Sequence, residues 1–130
     1  VTLIETGGMK GRGIEPIREE VHARIKAVLP DIHVASEYGM TEMMSQGYAK
    51  DGIHHAFPSW VRPLVRELRD PRSSALQGRV GRLDIVDLAN VHSCAFLATG
   101  DAANLTSKGL ILLGRQDHAE VRGCSLLATP

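Results

Sequence analysis

Five consecutive positions, Tyr38-Gly-Met-Thr-Glu42, bring together a phenol, a glycine, a hydroxyl and a carboxylate. A hydroxyl such as that of Thr41 can hydrogen-bond a phosphate oxygen, and a carboxylate such as that of Glu42 can help to hold Mg²⁺ beside it. The segment directly follows a short apolar run, Ile32 to Ala35. A strand there, ending in a turn at Gly39, would set these groups at the mouth of a sheet, where open α/β sheets bind their ligands. Taken alone the pentapeptide reads equally as an ordinary strand-to-loop turn, so its weight depends on partners elsewhere in the chain.

Three such partners stand downstream. Thr99-Gly100-Asp101 closes an apolar run, and a carboxylate on a strand-end turn can accept two hydrogen bonds from a vicinal diol such as that of a ribose, although Gly-Asp is also a common turn. Arg115, fourteen residues after Asp101 in the stretch Gly114-Arg-Gln-Asp117, can reach a ribose or a phosphate, while Asp117 suits a turn or hinge. Cys124 carries a nucleophilic sulfur, and Arg122 two residues away would favour its thiolate. The competing reading makes Cys124 an apolar core residue beside Leu126 and Leu127. Cys94, next to Ala95 and Phe96, reads as core. His54 and His55, adjacent and so pointing to opposite sides of an extended chain, with no Cys or Asp at ligand spacing, read as a solvated loop. Gly7-Gly-Met-Lys-Gly11 does not match the phosphate-loop pattern.

The elements that must position these groups can be read from periodicity. Val1 to Thr6 is a short β-branched strand, and Gly7, Gly8, Gly11 and Gly13 mark a loop after it. Ile17, Val21, Ile25, Val28 and Leu29 follow helical spacing, with Pro16 suited to the first turn and Pro30 as a stop. With Ile32 to Ala35 this predicts a parallel strand–helix–strand unit with a right-handed crossover. Residues 48 to 58 read as a loop. Beyond them, strands are predicted at Trp60 to Leu68, Val80 to Leu88, Ser93 to Thr99, Gly109 to Leu113 and Val121 to Leu127, with Ala102 to Ser107 as a hairpin loop. Short strands at this spacing predict an antiparallel sheet or partial barrel. The fold class is therefore α/β grading into α+β, divided into residues 1–47, the end of an α/β subdomain, and 48–130, an antiparallel β portion.

Composition narrows the function classes. The chain has 130 residues, 43% of them apolar, which suffices for one packed domain. Fifteen basic residues balance fifteen acidic ones, so no global field draws the chain to nucleic acid or an anionic membrane. The Arg run from Arg62 to Arg82 is interleaved with acidic residues and reads as a solvated, salt-bridged face. No apolar run approaches the ~20 residues of a membrane span, and no signal peptide is evident. Two cysteines make no disulfide framework and are expected to be reduced thiols in a cytoplasmic protein. Val1 opens in what reads as mid-core strand, so a missing N-terminal part is expected.

In order, Thr6-Gly7-Gly8, Tyr38-Gly-Met-Thr-Glu42, Thr99-Gly-Asp101 and Gly114-Arg-Gln-Asp117 resemble the motifs of the adenylate-forming superfamily, which includes acyl-CoA synthetases, firefly-type luciferases and peptide-synthetase adenylation domains. A narrower set, residues 5–12, 36–42, 87–94 (Asp-Leu-Ala-Asn-Val-His-Ser-Cys) and 121–124, resembles the acyl-protein synthetase family, best known through the fatty-acid-activating subunit of a bacterial bioluminescence reductase complex. The resemblance implies the large domain of an enzyme that uses ATP and Mg²⁺ to activate a carboxylic acid, in that family a fatty acid, as an acyl adenylate. It implies that Gly7, Gly8 and Gly39 line the nucleotide, Tyr38 stacks on adenine and Thr41 holds phosphate. Glu42 would position Mg²⁺, Asp101 would take the ribose hydroxyls with Arg115 close by, and Cys124 would accept the acyl group as a thioester. An acyl-accepting reductase or acceptor protein is the implied partner.

The chain also departs from the superfamily. Its Ser/Thr/Gly-rich phosphate-gripping loop is absent and is expected upstream of Val1. The superfamily's C-terminal lid is absent too, which agrees with the narrower resemblance, and the tighter spacing from Gly114 to Gly123 leaves Asp117 without an assigned role. The reading is a C-terminal piece of such an enzyme, inactive alone. The alternatives are a coenzyme A ligase of the phenylacetate-activating type and a non-catalytic module that keeps the nucleotide fold.

Overall fold

A computed structural model describes residues 1–7, 16–70 and 72–116 of the chain. Two sheets carry it. The first has the order β1-β2-β3, from Thr2–Glu5, His33–Tyr38 and Gly47–Ala49, with the helix α1 (Arg18–Val28) between its first two strands. β1 and β2 run parallel, as the strand–helix–strand reading expects, and β3 is antiparallel to β2. The second sheet has the order β4-β8-β7-β6-β5 and is antiparallel throughout, with β4 His54–His55, β5 Val61–Arg66, β6 Val80–Asp87, β7 Phe96–Thr106 and β8 Gly109–Arg115. The fold is thus mixed α+β, dominated by antiparallel strands in a curled half-barrel sheet.

Alternation sets the faces. Along β6, Gly81, Leu83, Ile85 and Asp87 are buried while the residues between them are not, the period of two that a half-buried strand requires. Leu83 and Ile85 join Val61, Val65, Ala103 and Leu110 in one core, and Met43 closes it from outside the sheet. Tyr38, Met40 and Phe57 pack against the same cluster. The segment that leaves β2 therefore lies on the second sheet. A second link is the backbone pair between Tyr48 and Ala56, which bonds in both directions at 2.9 and 3.0 Å.

Several sequence expectations change here. Residues 48 to 58 are not a plain loop, because Gly47–Ala49 and His54–His55 pair into different sheets. Ala102 to Ser107 is not a hairpin loop: β7 runs on to Thr106 and only Ser107 and Lys108 turn. The alternating burial of Asp101, Ala102, Ala103 and Asn104 is strand patterning that the small side chains conceal. Cys94 is exposed rather than core, since it precedes β7. No residue of α1 is buried, with Val21 and Ile25 only half-covered against the first sheet. The strand expected at Val121 to Leu127 lies outside the described residues. Among the described residues, no helix is long and apolar enough to cross a membrane.

Gly81 exists because the strands meet closely: a Cβ there would overlap the Arg66 carbonyl oxygen and lie 2.8 Å from Val65 Cγ1. The register leaves no slack, since Val65 and Arg66 are held opposite Leu83 and Arg82. Gly81→Ala is expected to cost more than about 3 kcal/mol, read as a lower urea midpoint, whereas Gly78→Ala in open space should cost about 1 kcal/mol, from its φ of 82° alone.

Candidate functional site

Three strands deliver Tyr38, Asp101 and Arg115 to one point. Tyr38 ends β2, and its hydroxyl donates to Asp101 Oδ2 at 2.7 Å. Arg115 in β8 is the direct cross-strand partner of Asp101 in β7, and its guanidinium donates to Oδ1 at 3.2 Å and to the Thr99 carbonyl at 3.4 Å. Asp101 is buried, with its side chain 11% exposed.

Thr99-Gly100-Asp101 is a bulge within β7 and not the strand-end turn expected from sequence. Between the pairs Asp84–Ala98 and Arg82–Ala102, β7 takes four steps where β6 takes two. Gly100, with a φ of 78°, absorbs the excess, and the Thr99 hydroxyl substitutes for lost ladder bonds. It donates to the Leu83 carbonyl at 2.8 Å and accepts from the Asp101 amide at 3.1 Å. Bulges re-aim side chains, and here the re-aimed side chain is Asp101. On the neighbouring strand the register also shifts, and Gly114, with a φ of 104°, takes up that change just before Arg115.

The Tyr38 ring packs edge-on against His55 and Phe57, with centroids 6.4 and 6.3 Å away. Burial, and then the Asp101 charge, push the phenol far above its ordinary pKa, so it remains a donor to Asp101. Gly47 gives the Phe57 ring room, since a Cβ there would come within 2.5 Å of it.

Beyond Tyr38 the chain turns through Gly39 and Met40 to the exposed Thr41 and Glu42, and the turn closes with the Met43 amide on the Met40 carbonyl at 3.1 Å. Parallel register sets Glu5 opposite Ser36, which brings Gly7 level with Tyr38 at the same sheet end. Gly7, with a φ of 67°, donates its amide to Glu5 Oε2 at 2.6 Å. Glu5 Oε1 in turn accepts from Arg18 Nε and Ser36 Oγ, both at 3.1 Å, so one carboxylate ties β1, α1 and β2 together below the Gly7 turn. Gly8, Asp117 and Cys124 lie outside the described residues.

Sequence reasoning missed two features. His54 is half-buried in β4, and its Nδ1 is 2.6 Å from Asp51 Oδ2. The amides of His54 and Ile53 on Asp51 hold that carboxyl well below the usual range. The second is Asp87, fully buried at the end of β6 and hydrogen-bonded to the chain after Glu42. Its only sequence signal is the 87–94 motif, to which no role attaches from spacing alone. Among the described residues, no group of three His, Cys, Asp or Glu side chains is placed to hold a metal.

The residues present suit a nucleotide and Mg²⁺. A carboxylate offers about four acceptor sites. Tyr38 and Arg115 approach Asp101 on separate oxygens, which leaves acceptor capacity for a diol. A hydroxyl and a single carboxylate are hard oxygen donors of the kind Mg²⁺ takes alongside waters and substrate phosphates.

No protein-family profile matches the chain, and neither does any curated protein. Solved structures do match in fold. The luciferase-like enzyme of the nonluminescent mealworm Zophobas morio superposes with a TM-score of 0.63 at 15% identity, over 92% of this chain and 32% of that one. Apo MatB from Rhodopseudomonas palustris gives 0.61 at 17% identity, over 89% and 26%. O-succinylbenzoate coenzyme A synthetase (MenE) from Bacillus subtilis, in complex with AMP, gives 0.56 at 21% identity, over 91% and 33%. The chain spans about a third of the length of these structures or less, and its fold is that of a segment of them.

Two expectations follow from the site. Tyr38→Phe strips a buried carboxylate oxygen of its donor and should lower stability by about 1–3 kcal/mol in urea unfolding. His55 is buried with Nε2 lacking a partner among the described residues, and burial, then the Arg18 charge, lower its pKa. It stays neutral in the folded chain while the unfolded chain takes up a proton near the ordinary His pKa of about 6.5. Its contribution is therefore complete above that pH and is lost as pH falls toward the folded value. Unfolding midpoints at pH 7.5 and 5.5 should differ less in His55→Gln than in the parent chain.

Proposed function

We propose that this chain is part of an ATP-dependent acyl-protein synthetase. That enzyme activates a carboxylic acid, a fatty acid by the motif resemblance, as an acyl adenylate and transfers it to Cys124. The observation that carries the reading is the meeting of Tyr38, Asp101 and Arg115 from three strands beside the Thr41–Glu42 turn. In this assignment Gly7, Gly8 and Gly39 line the nucleotide next to Tyr38. Asp101 accepts the ribose hydroxyls in the capacity that Tyr38 and Arg115 leave open. Thr41 binds phosphate and Glu42 is the protein ligand of Mg²⁺. The metal offsets phosphate charge when bound.

The acid's carboxylate oxygen bonds to the α-phosphorus and pyrophosphate leaves with the electron pair of the broken P–O bond. Fixed donors around the crowded phosphorus stabilise its charge, the largest effect open to such a site. The Cys124 thiolate then attacks the acyl carbon and AMP departs, leaving a thioester for a reductase or acceptor protein. A protein thiol rather than free coenzyme A is favoured by the 121–124 motif, Val-Arg-Gly-Cys.

The test uses the full-length natural protein with ATP, Mg²⁺ and radiolabelled fatty acids. Label on the protein that neutral hydroxylamine removes, and that Cys124→Ser abolishes, is the expected result. Acyl-CoA formed only after coenzyme A is added would replace this reading with a coenzyme A ligase. Failure to exchange pyrophosphate with ATP for any acid would leave a non-catalytic nucleotide-fold module.

A further inference from the structure

Immediately after Glu42 the chain is caught by a polar clamp from the second sheet. Asp87 Oδ2 accepts the amides of Met44 at 3.0 Å and Ser45 at 2.9 Å. Its Oδ1 accepts the Ser45 hydroxyl at 2.9 Å and the Ala89 amide at 3.1 Å. With about four acceptor sites on a carboxylate, these donors saturate it. Asn90, three residues on and at the end of the 3₁₀ turn Leu88–Asn90, donates Nδ2 to the Glu42 carbonyl at 2.7 Å and to the Cys94 carbonyl at 2.9 Å. The indole of Trp60 donates to Ser45 Oγ at 3.0 Å, so this hydroxyl is held from both sides.

A fully buried carboxylate is an expensive way to join two segments that apolar packing already joins at Met43. Apolar contacts tolerate sliding, whereas bonds to successive amides fix the backbone that carries Thr41 and Glu42. The nucleoside end is built separately: Asp101 is supported by Thr99 and Arg115, and Tyr38 by His55 and Phe57.

We propose that Asp87 and Asn90 are positioning residues for Thr41 and Glu42, holding that turn for the Mg²⁺-bearing phosphates of a nucleotide while leaving the nucleoside end untouched. The inference rests on the nucleotide reading above.

Asp87→Asn must turn an NH₂ toward donors that need an acceptor, which breaks the clamp with almost no change of volume. The experiment measures adenosine, and ATP with and without Mg²⁺, binding to the full-length protein and to Asp87→Asn and Asn90→Ala, with thermal unfolding alongside. Adenosine affinity should stay within about twofold of the parent while Mg²⁺–ATP affinity falls about tenfold or more in Asp87→Asn, with a smaller loss in Asn90→Ala. The gain in ATP affinity on adding Mg²⁺ should shrink in both. Equal losses for adenosine and Mg²⁺–ATP would make the clamp merely structural and overturn the inference, as would unchanged Mg²⁺–ATP binding in a folded variant. Should Asp87→Asn not fold, Asn90→Ala carries the same comparison. A parent protein that binds neither adenosine nor ATP would instead overturn the nucleotide reading itself.

Discussion

Everything in this structure depends on how the segment leaving β2 is seated on the second sheet. Tyr38, Met40 and Met43 give up their apolar surface to a core built by Val61, Val65, Leu83, Ile85 and Leu110. Apolar burial supplies the attraction but not the register, because it is non-directional. Asp87 and Asn90 add direction by bonding named amides and carbonyls of residues 42 to 45. Apolar seating and polar alignment together bring the chemistry of the first sheet to that of the second.

The second constraint is electrostatic. Asp101 is nearly buried, and an unpaired carboxylate there would be costly. Tyr38 and Arg115 satisfy it from two different strands, at the price of tying the site's charge balance to correct sheet assembly. The bulge at Thr99–Gly100 is what makes this possible, since a regular β7 would send the Asp101 side chain elsewhere. Arg66 and Asp84 form an ion pair between β5 and β6, whose mutual register is regular. The β6–β7 bulge thus falls where a carboxylate must be presented, and the β7–β8 shift follows directly after it.

The strand–helix–strand unit, β5, β6 and β8 were legible in the sequence because their apolar residues keep a clear period between Gly and Pro punctuation. The far half of β7 was not, since Ala102, Ala103 and Asn104 carry little apolar signal, and β3 and β4 are too short to show a period. The site was half legible. Tyr38, Thr41, Glu42, Asp101 and Arg115 stand out by type and order, but the reading of Thr99-Gly-Asp101 as a turn was wrong in local geometry. Glu5 and Asp87 could not be found that way, because their partners, Arg18 and Ser36 for Glu5 and the Met44–Ser45 segment for Asp87, stand at separations that no local pattern marks.

By itself the sequence determined which side chains are available for chemistry, the strand and helix periods, and where glycine permits a positive φ. These are properties of single residues and near neighbours, so they survive in a one-dimensional reading. Only the tertiary structure decided that Tyr38, Asp101 and Arg115 share one hydrogen-bonded point, that the Asp101 strand is bulged, and that Asp87 grips Ser45, just after the Thr41–Glu42 turn, from 42 residues away. Hydrogen bonds act over about 3 Å and demand alignment, so they exist only once the backbone has brought distant residues into register.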